Sequence, residues 1–168
     1  MDERVRRGPE QTEENNVKYM LIMRATDEAL ESFQDFDFDQ MLETMGRFND
    51  ELINAGVLVA MDGLEDAAQT VVVDYSSQPP IVTDGPYGEA KELFGGFWIL
   101  DVASKEEAVE WARRVPFDAD GQYGPDAEIE IRQIFESEDF GAEFTPELRE
   151  QEERLRAQAE KLAKTAKP

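Results

Sequence analysis

The side chains best suited to chemistry are concentrated between residues 84 and 98. Asp84-Gly85-Pro86-Tyr87-Gly88-Glu89-Ala90-Lys91 places a carboxylate, a phenol, a second carboxylate and an ammonium group in one short stretch. Gly85 precedes a proline and so is disfavoured from helix, and Asp84 can accept hydrogen bonds from the backbone amides of the turn. A loop held in this way would present Tyr87, Glu89 and Lys91 in fixed directions. Tyr87 can donate to an oxygen on which negative charge develops, while Lys91, joined by Arg24, can offset that charge. Glu89 would share a side of an extended segment with Lys91, where it serves either as a base or as the ion-pair partner of the lysine. Trp98 completes the candidate lining. A small anionic or carbonyl-bearing molecule is the ligand this set would suit. The alternative is a turn in which Asp84 and the glycines only shape the backbone and Lys91 is a solvated charge.

Two absences narrow the chemistry further. The chain has no histidine and no cysteine, so Ser–His and Cys–His catalysis, imidazole or thiolate metal sites and disulfides are all excluded. No phosphate-binding glycine loop or dinucleotide fingerprint occurs. Asp35, Asp37 and Asp39 resemble the start of a calcium loop. Gln40 stands where its glycine should be and Gly46 where its closing glutamate should be, so the acidic run reads as a helix start. No cofactor and no metal are therefore expected.

Thirty-nine Asp and Glu against seventeen Lys and Arg give a net charge of −22. Such a surface repels phosphate backbones and anionic lipid, which argues against nucleic acid and membrane as partners. The acidity suits either a salt-rich cytoplasm or plain solubility, and in the first case screening should raise the melting temperature. No apolar run approaches the roughly 18 residues of a membrane span, and residues 1–16 lack the apolar centre of a signal peptide. A cytoplasmic protein is the expectation.

The elements that must position these residues follow from periodicity. Val17–Arg24 alternates as a strand, with Val17, Tyr19, Leu21 and Met23 on one face. Phe38, Met41, Leu42, Met45, Phe48, Leu52 and Ile53 form the stripe of a helix capped by Asp37 and ended by Ala55-Gly56. A buried strand over Val57–Met61, a valine-rich strand over Thr70–Tyr75 and a brief strand over Ile81–Thr83 follow. Gly95-Gly96 then opens a strand over Phe97–Val102, the paired glycines pointing to a bulge or a close backbone approach. Ser104-Lys105-Glu106-Glu107 is a capping box whose helix buries Ala108, Trp111, Ala112 and Val115 and stops before Pro116. Glu128–Phe135 alternates as a last strand, with Ile129, Ile131 and Phe135 on one side.

This order is the ferredoxin-like βαββαβ pattern, an α+β fold, with an extra hairpin in the middle. Two helices cover one sheet face. The strands are apolar on both sides, so a second copy covering the other face, a homodimer, is the simplest remedy. The expected organisation is a flexible tail over residues 1–16, a domain over 17–140 and a helical extension over 141–168. In that extension Thr145-Pro146 caps a helix on which Leu148, Leu155 and Leu162 repeat every seven residues. The helix either lies on its own domain or forms an arm against a second subunit.

Ile81-Val82-Thr83-Asp84-Gly85-Pro86-Tyr87-Gly88-Glu89-Ala90-Lys91-Glu92-Leu93-Phe94-Gly95-Gly96-Phe97-Trp98, together with Val17-Lys18-Tyr19-Met20-Leu21-Ile22 and Ala55-Gly56-Val57-Leu58, resembles the YCII-related family. The loop is similar to the Asp-Gly-Pro-Phe motif of its DGPF branch, with Tyr87 in place of phenylalanine. Phe135-Glu136-Ser137-Glu138-Asp139-Phe140-Gly141 and Thr145-Pro146-Glu147-Leu148-Arg149 resemble that branch too. The resemblance, over about residues 17–158, implies a dimeric α/β barrel. It also implies relatives encoded beside extracytoplasmic-function sigma factors, and some members thought to be enzymes that use a histidine–aspartate pair. This chain has no histidine to supply that pair. Two functional classes follow: a small-molecule binding protein or histidine-independent enzyme with a pocket at the loop, or a non-catalytic interaction module tied to a sigma-factor pathway.

Overall fold

A computed structural model of the protein describes residues 16–24, 38–65, 69–85, 94–117 and 127–165. Two compact units divide the chain, Met1–Gln133 and Ile134–Pro168.

The first unit is built on β1 (Val17–Arg24), β2 (Leu58–Gly63), β5 (Phe94–Val102) and β6 (Glu128–Gln133), joined as an antiparallel sheet in the order β2-β5-β1-β6. Counting only these four strands, the order is that of the ferredoxin-like fold, with helices α1 (Phe38–Asn54) and α2 (Lys105–Arg113) as the crossovers. A separate hairpin, β3 (Val71–Asp74) with β4 (Ile81–Asp84), is inserted between β2 and β5. The protein is thus an α+β fold with the extra hairpin that the sequence pattern predicts.

Alternation decides which side of the sheet meets the helices. Leu21 lies opposite Trp98 on β5 and Ile131 on β6, and Tyr19 lies opposite Leu100. Paired residues share a face, so these side chains form one apolar layer. Phe48 and Leu52 from α1 and Ala108 from α2 close over it, with Met45, Trp111 and Ala112 around the edge. Leu21, Leu52 and Leu100 are wholly buried and Val102 nearly so. Each such burial contributes about 1.5–3 kcal/mol. Gly56, at φ 73°, supplies the left-handed turn that ends α1. The capping box at α2 holds in a modified form: Ser104 Oγ accepts from the Glu107 amide at 3.2 Å, and the Glu107 carboxylate accepts from the amide of Ala103, at 2.9 Å, not from that of Ser104.

Three local expectations are corrected. The segment expected as a buried strand over Val57–Met61 is an edge strand, with Val59 and Met61 exposed. Leu58 pairs with Leu100 and Ala60 with Ile99, so Val59 is an extra residue bulged out of the ladder, and β2 has a neighbour on one side only. The strand over 97–102 begins earlier, at Phe94, because the paired glycines lie inside it. A Cβ on Gly96 would sit 3.1 Å from the Asp62 carbonyl oxygen and 3.4 Å from Gly63 Cα, so the close approach falls there. Phe135 is not on the core face of β6, which ends at Gln133; it is two-thirds exposed.

The second unit holds a 3₁₀ segment (Ser137–Glu143) and helix α3 (Pro146–Thr165). Phe135, Phe140 and Phe144 stack in sequence, with centroids 5.6 and 5.4 Å apart. Arg149 lies over Phe144 and its Nε donates to the Phe144 carbonyl at 3.2 Å. Thr145 caps α3, its Oγ1 accepting from the Leu148 amide at 3.4 Å.

Candidate functional site

The sheet face away from the helices carries Lys18, Met20, Ile22 and Arg24 from β1, Phe97, Ile99 and Asp101 from β5, and Glu128, Glu130 and Arg132 from β6, by the alternation of the paired register. At one end of it Arg24 donates from Nη2 to Glu130, and Arg132 donates from Nε to the other oxygen of the same carboxylate. Hydrogen bonding from Arg24, then from Arg132, holds the Glu130 carboxyl below its ordinary range. Beside this cluster an open depression of about 520 Å³ is lined by Arg24, Glu128, Ile129 and Glu130. Arg24, Arg132, Glu128 and Glu130 share this part of the face by register, so in a chain of −22 the patch is balanced locally.

Of the residues that sequence reasoning singled out, three are described. Arg24 ends β1, where the β1–β5 register shifts between Met23 and Arg24, and its Cα partner on β5 is Phe94. Asp84 ends β4 opposite Val71, and the next amide, that of Gly85, donates to the Thr70 carbonyl at 2.7 Å. Gly85 has φ 99°, a conformation that favours glycine. Trp98 is buried on the helix side: its Nε1–H donates to Asn49 Oδ1 at 2.8 Å, and its ring meets Phe48 edge-to-face with centroids 5.7 Å apart. Arg24 and Trp98 therefore lie on opposite faces of the sheet. Tyr87, Glu89 and Lys91 lie outside the described residues, as do Asp35 and Asp37.

Glu128, Glu130 and Arg132 were not singled out by sequence reasoning. Their signal was the alternation Glu-Ile-Glu-Ile-Arg-Gln, which fixes a charged face without saying what the charges meet. Asn49 was also missed; it is a polar residue beside Phe48 on the helix that covers Trp98. Among the described residues no group of three carboxylates is placed to hold a metal ion, and no helix is long and apolar enough to cross a membrane.

Residues 17–136, from the first residue of β1 to just beyond the end of β6, match the YCII-related domain. The chain belongs to the YCII-related family. It is also similar to an uncharacterized protein of Rhizobium meliloti (strain 1021), 30% identical over 75 residues. That match takes in 45% of this chain and 60% of the relative's length. The family boundary coincides with the sheet: every strand of the four-stranded layer, both crossover helices and the inserted hairpin lie inside it, whereas α3 lies beyond.

Proposed function

We propose that this YCII-related protein, of the DGPF branch, binds a small anionic or carbonyl-bearing molecule where the loop after Asp84 meets the open sheet face. Binding alone and histidine-independent catalysis are both within that reading. The observation that carries it is the register of β5. The loop leaves the hairpin at Asp84 and re-enters the sheet at Phe94, which pairs with Arg24. Lys91 is three residues before Phe94, so covalent geometry alone keeps their Cα atoms within about 11 Å. In this reading Lys91 and Tyr87 reach the Arg24 cluster from the loop, and Glu130 holds the guanidinium in place. Trp98 supports the site from behind, by anchoring β5 to α1.

A homodimer formed over the open face accompanies this reading, because Met20, Ile22, Phe97 and Ile99 lie there in the middle of the sheet and none of them is fully buried in one chain. An interface of this kind buries roughly 2,000 Å² or more.

Native mass spectrometry of the purified protein, with a thermal-shift panel of small carboxylates and carbonyl compounds, tests the site. Lys91→Ala should abolish ligand retention while the melting temperature barely moves, since exposed ion pairs contribute only about 0–1 kcal/mol. Asp84→Ala should destabilise by about 1 kcal/mol. Equal retention in both variants, or no ligand in either assay, overturns the reading.

One observation favours the second class, an interaction module such as a sigma-factor pathway would use. On one face of the β3–β4 hairpin Val71, Val73 and Val82 are all exposed, at 57, 45 and 64%. Val73→Lys should then weaken partner capture without touching ligand retention.

A further inference from the structure

We propose that α3 pairs with α3 of a second copy in antiparallel orientation, through the leucine stripe. The pairing rests on α3 alone and requires neither the ligand site nor a covered sheet face.

Three observations lead to it. First, α3 runs 20 residues and buries none of them; Leu148, Leu155 and Leu162 are 45, 54 and 59% exposed. An amphipathic helix gains most of its stability from an apolar face that packs, and here that face is open. Ala159 lies between Leu155 and Leu162 on the same stripe, small enough for a second helix to approach closely. Second, the stripe is symmetric about Leu155, with one leucine seven residues to either side. A two-fold axis near Leu155 therefore sets Leu148 of one copy against the Leu162 end of the other, within about one turn.

Third, charge selects the orientation. Residues 146–154 carry Glu147, Glu150, Glu152 and Glu153 against Arg149 and Arg154, four against two, for a net −2. Residues 156–164 carry Arg156, Lys161 and Lys164 against Glu160, three against one, for a net +2. Antiparallel packing sets each acidic half on a basic half, whereas parallel packing sets like on like. In a chain of −22 most surfaces repel their copies, and the C-terminal half of α3 is a stretch of the opposite sign. Glu152, the polar interruption of the stripe, is joined to Arg156 one turn on, with Nε to Oε1 at 2.9 Å, so its charge enters the seam paired.

The absence of cysteine makes the test direct. Glu147→Cys and Thr165→Cys flank the stripe and leave all three leucines in place. They are 18 residues apart, about 27 Å along a helix, and a two-fold axis near Leu155 brings each within about one turn of the other across the pair. The full-length single-cysteine variants, separately and mixed, are treated with a bis-maleimide spanning about half that distance. The expected result is a covalent dimer in the mixture and little in either variant alone. Adding Leu155→Gln to both should remove the cross-link, while the thermal unfolding of the sheet, read by near-ultraviolet circular dichroism, stays put. Cross-linking of each variant with itself but not in the mixture would show parallel packing and overturn the orientation. No cross-link in any combination, or one that survives Leu155→Gln, overturns the pairing.

Discussion

The two faces of the four-stranded sheet are made by the same strands and differ in almost everything else. Ile99 and Leu100 are neighbours in the chain, yet Leu100 is wholly buried under the helices and Ile99 lies on the open face opposite Met20. On the helix side the sheet gains stability from volume: large side chains fill a layer closed by α1 and α2. On the open side it carries an organised polar cluster, Arg24–Glu130–Arg132, and an apolar strip with nothing from its own unit described over it. One face specifies the fold, and the other is the face on which the proposed binding and assembly would act.

Substitution should expose that division. Leu100→Ala removes a fully buried side chain and should cost about 2–5 kcal/mol in denaturant unfolding. Its neighbour, Ile99→Ala, should cost about 1 kcal/mol in dilute protein and more as concentration rises, because the proposed homodimer would add burial there by mass action. An equal, concentration-independent loss at both positions would erase the distinction between the faces. Trp98→Phe keeps the ring against Phe48 but leaves Asn49 without its indole donor, and should cost about 1–2 kcal/mol while leaving ligand retention unchanged. If retention falls instead, Trp98 belongs to the site after all.

The smallest effect concerns pH. Glu130 has its folded-state carboxyl held low by Arg24 and Arg132. Its contribution is therefore complete above the ordinary glutamate range and is lost as pH falls through the lowered folded value, where the unfolded chain already holds the proton. Glu130→Gln should therefore lower stability slightly at neutral pH, where the contribution is complete, and converge on the parent protein in acid, which flattens the acid limb of the stability curve. A loss that persists undiminished in acid would mean the carboxylate does something other than hold the two arginines.

Much of this architecture was legible from periodicity, and the reasons it stops are equally physical. Val17–Arg24 alternates cleanly, Gly56 has few uses other than to end a helix, and Ser104 with Glu107 marks a cap; all three held. The strand at Phe97–Val102 is apolar on both sides, so alternation alone cannot say which face Trp98 takes. Only its pairing with Leu21, which lies opposite Ile131 on the other side, places it against α1. Val57–Met61 looks buried because it is apolar, but burial depends on strand order, and an edge strand with a bulge leaves Val59 in water. The Arg24–Glu130 contact joins residues 106 positions apart, which no local pattern encodes. Tyr87, Glu89 and Lys91 were legible as a chemical set by their types, whereas the pairing of Arg24 with Phe94 follows from strand register and not from any local pattern.

The strand order also sets a schedule. Among the described elements β1 is the first to leave the ribosome, but its two hydrogen-bonding neighbours are β5 and β6. About 70 residues must follow before β5 begins, several seconds at typical elongation rates of about 5–20 residues per second. Throughout that interval Tyr19, Met20, Leu21, Ile22 and Met23 form an apolar segment with no strand to pair with. Neither the hairpin nor α1, both finished earlier, can supply the missing edge. Nascent chains stalled just before residue 94 should therefore bind holdase chaperones, and chains that have passed residue 133 should release them.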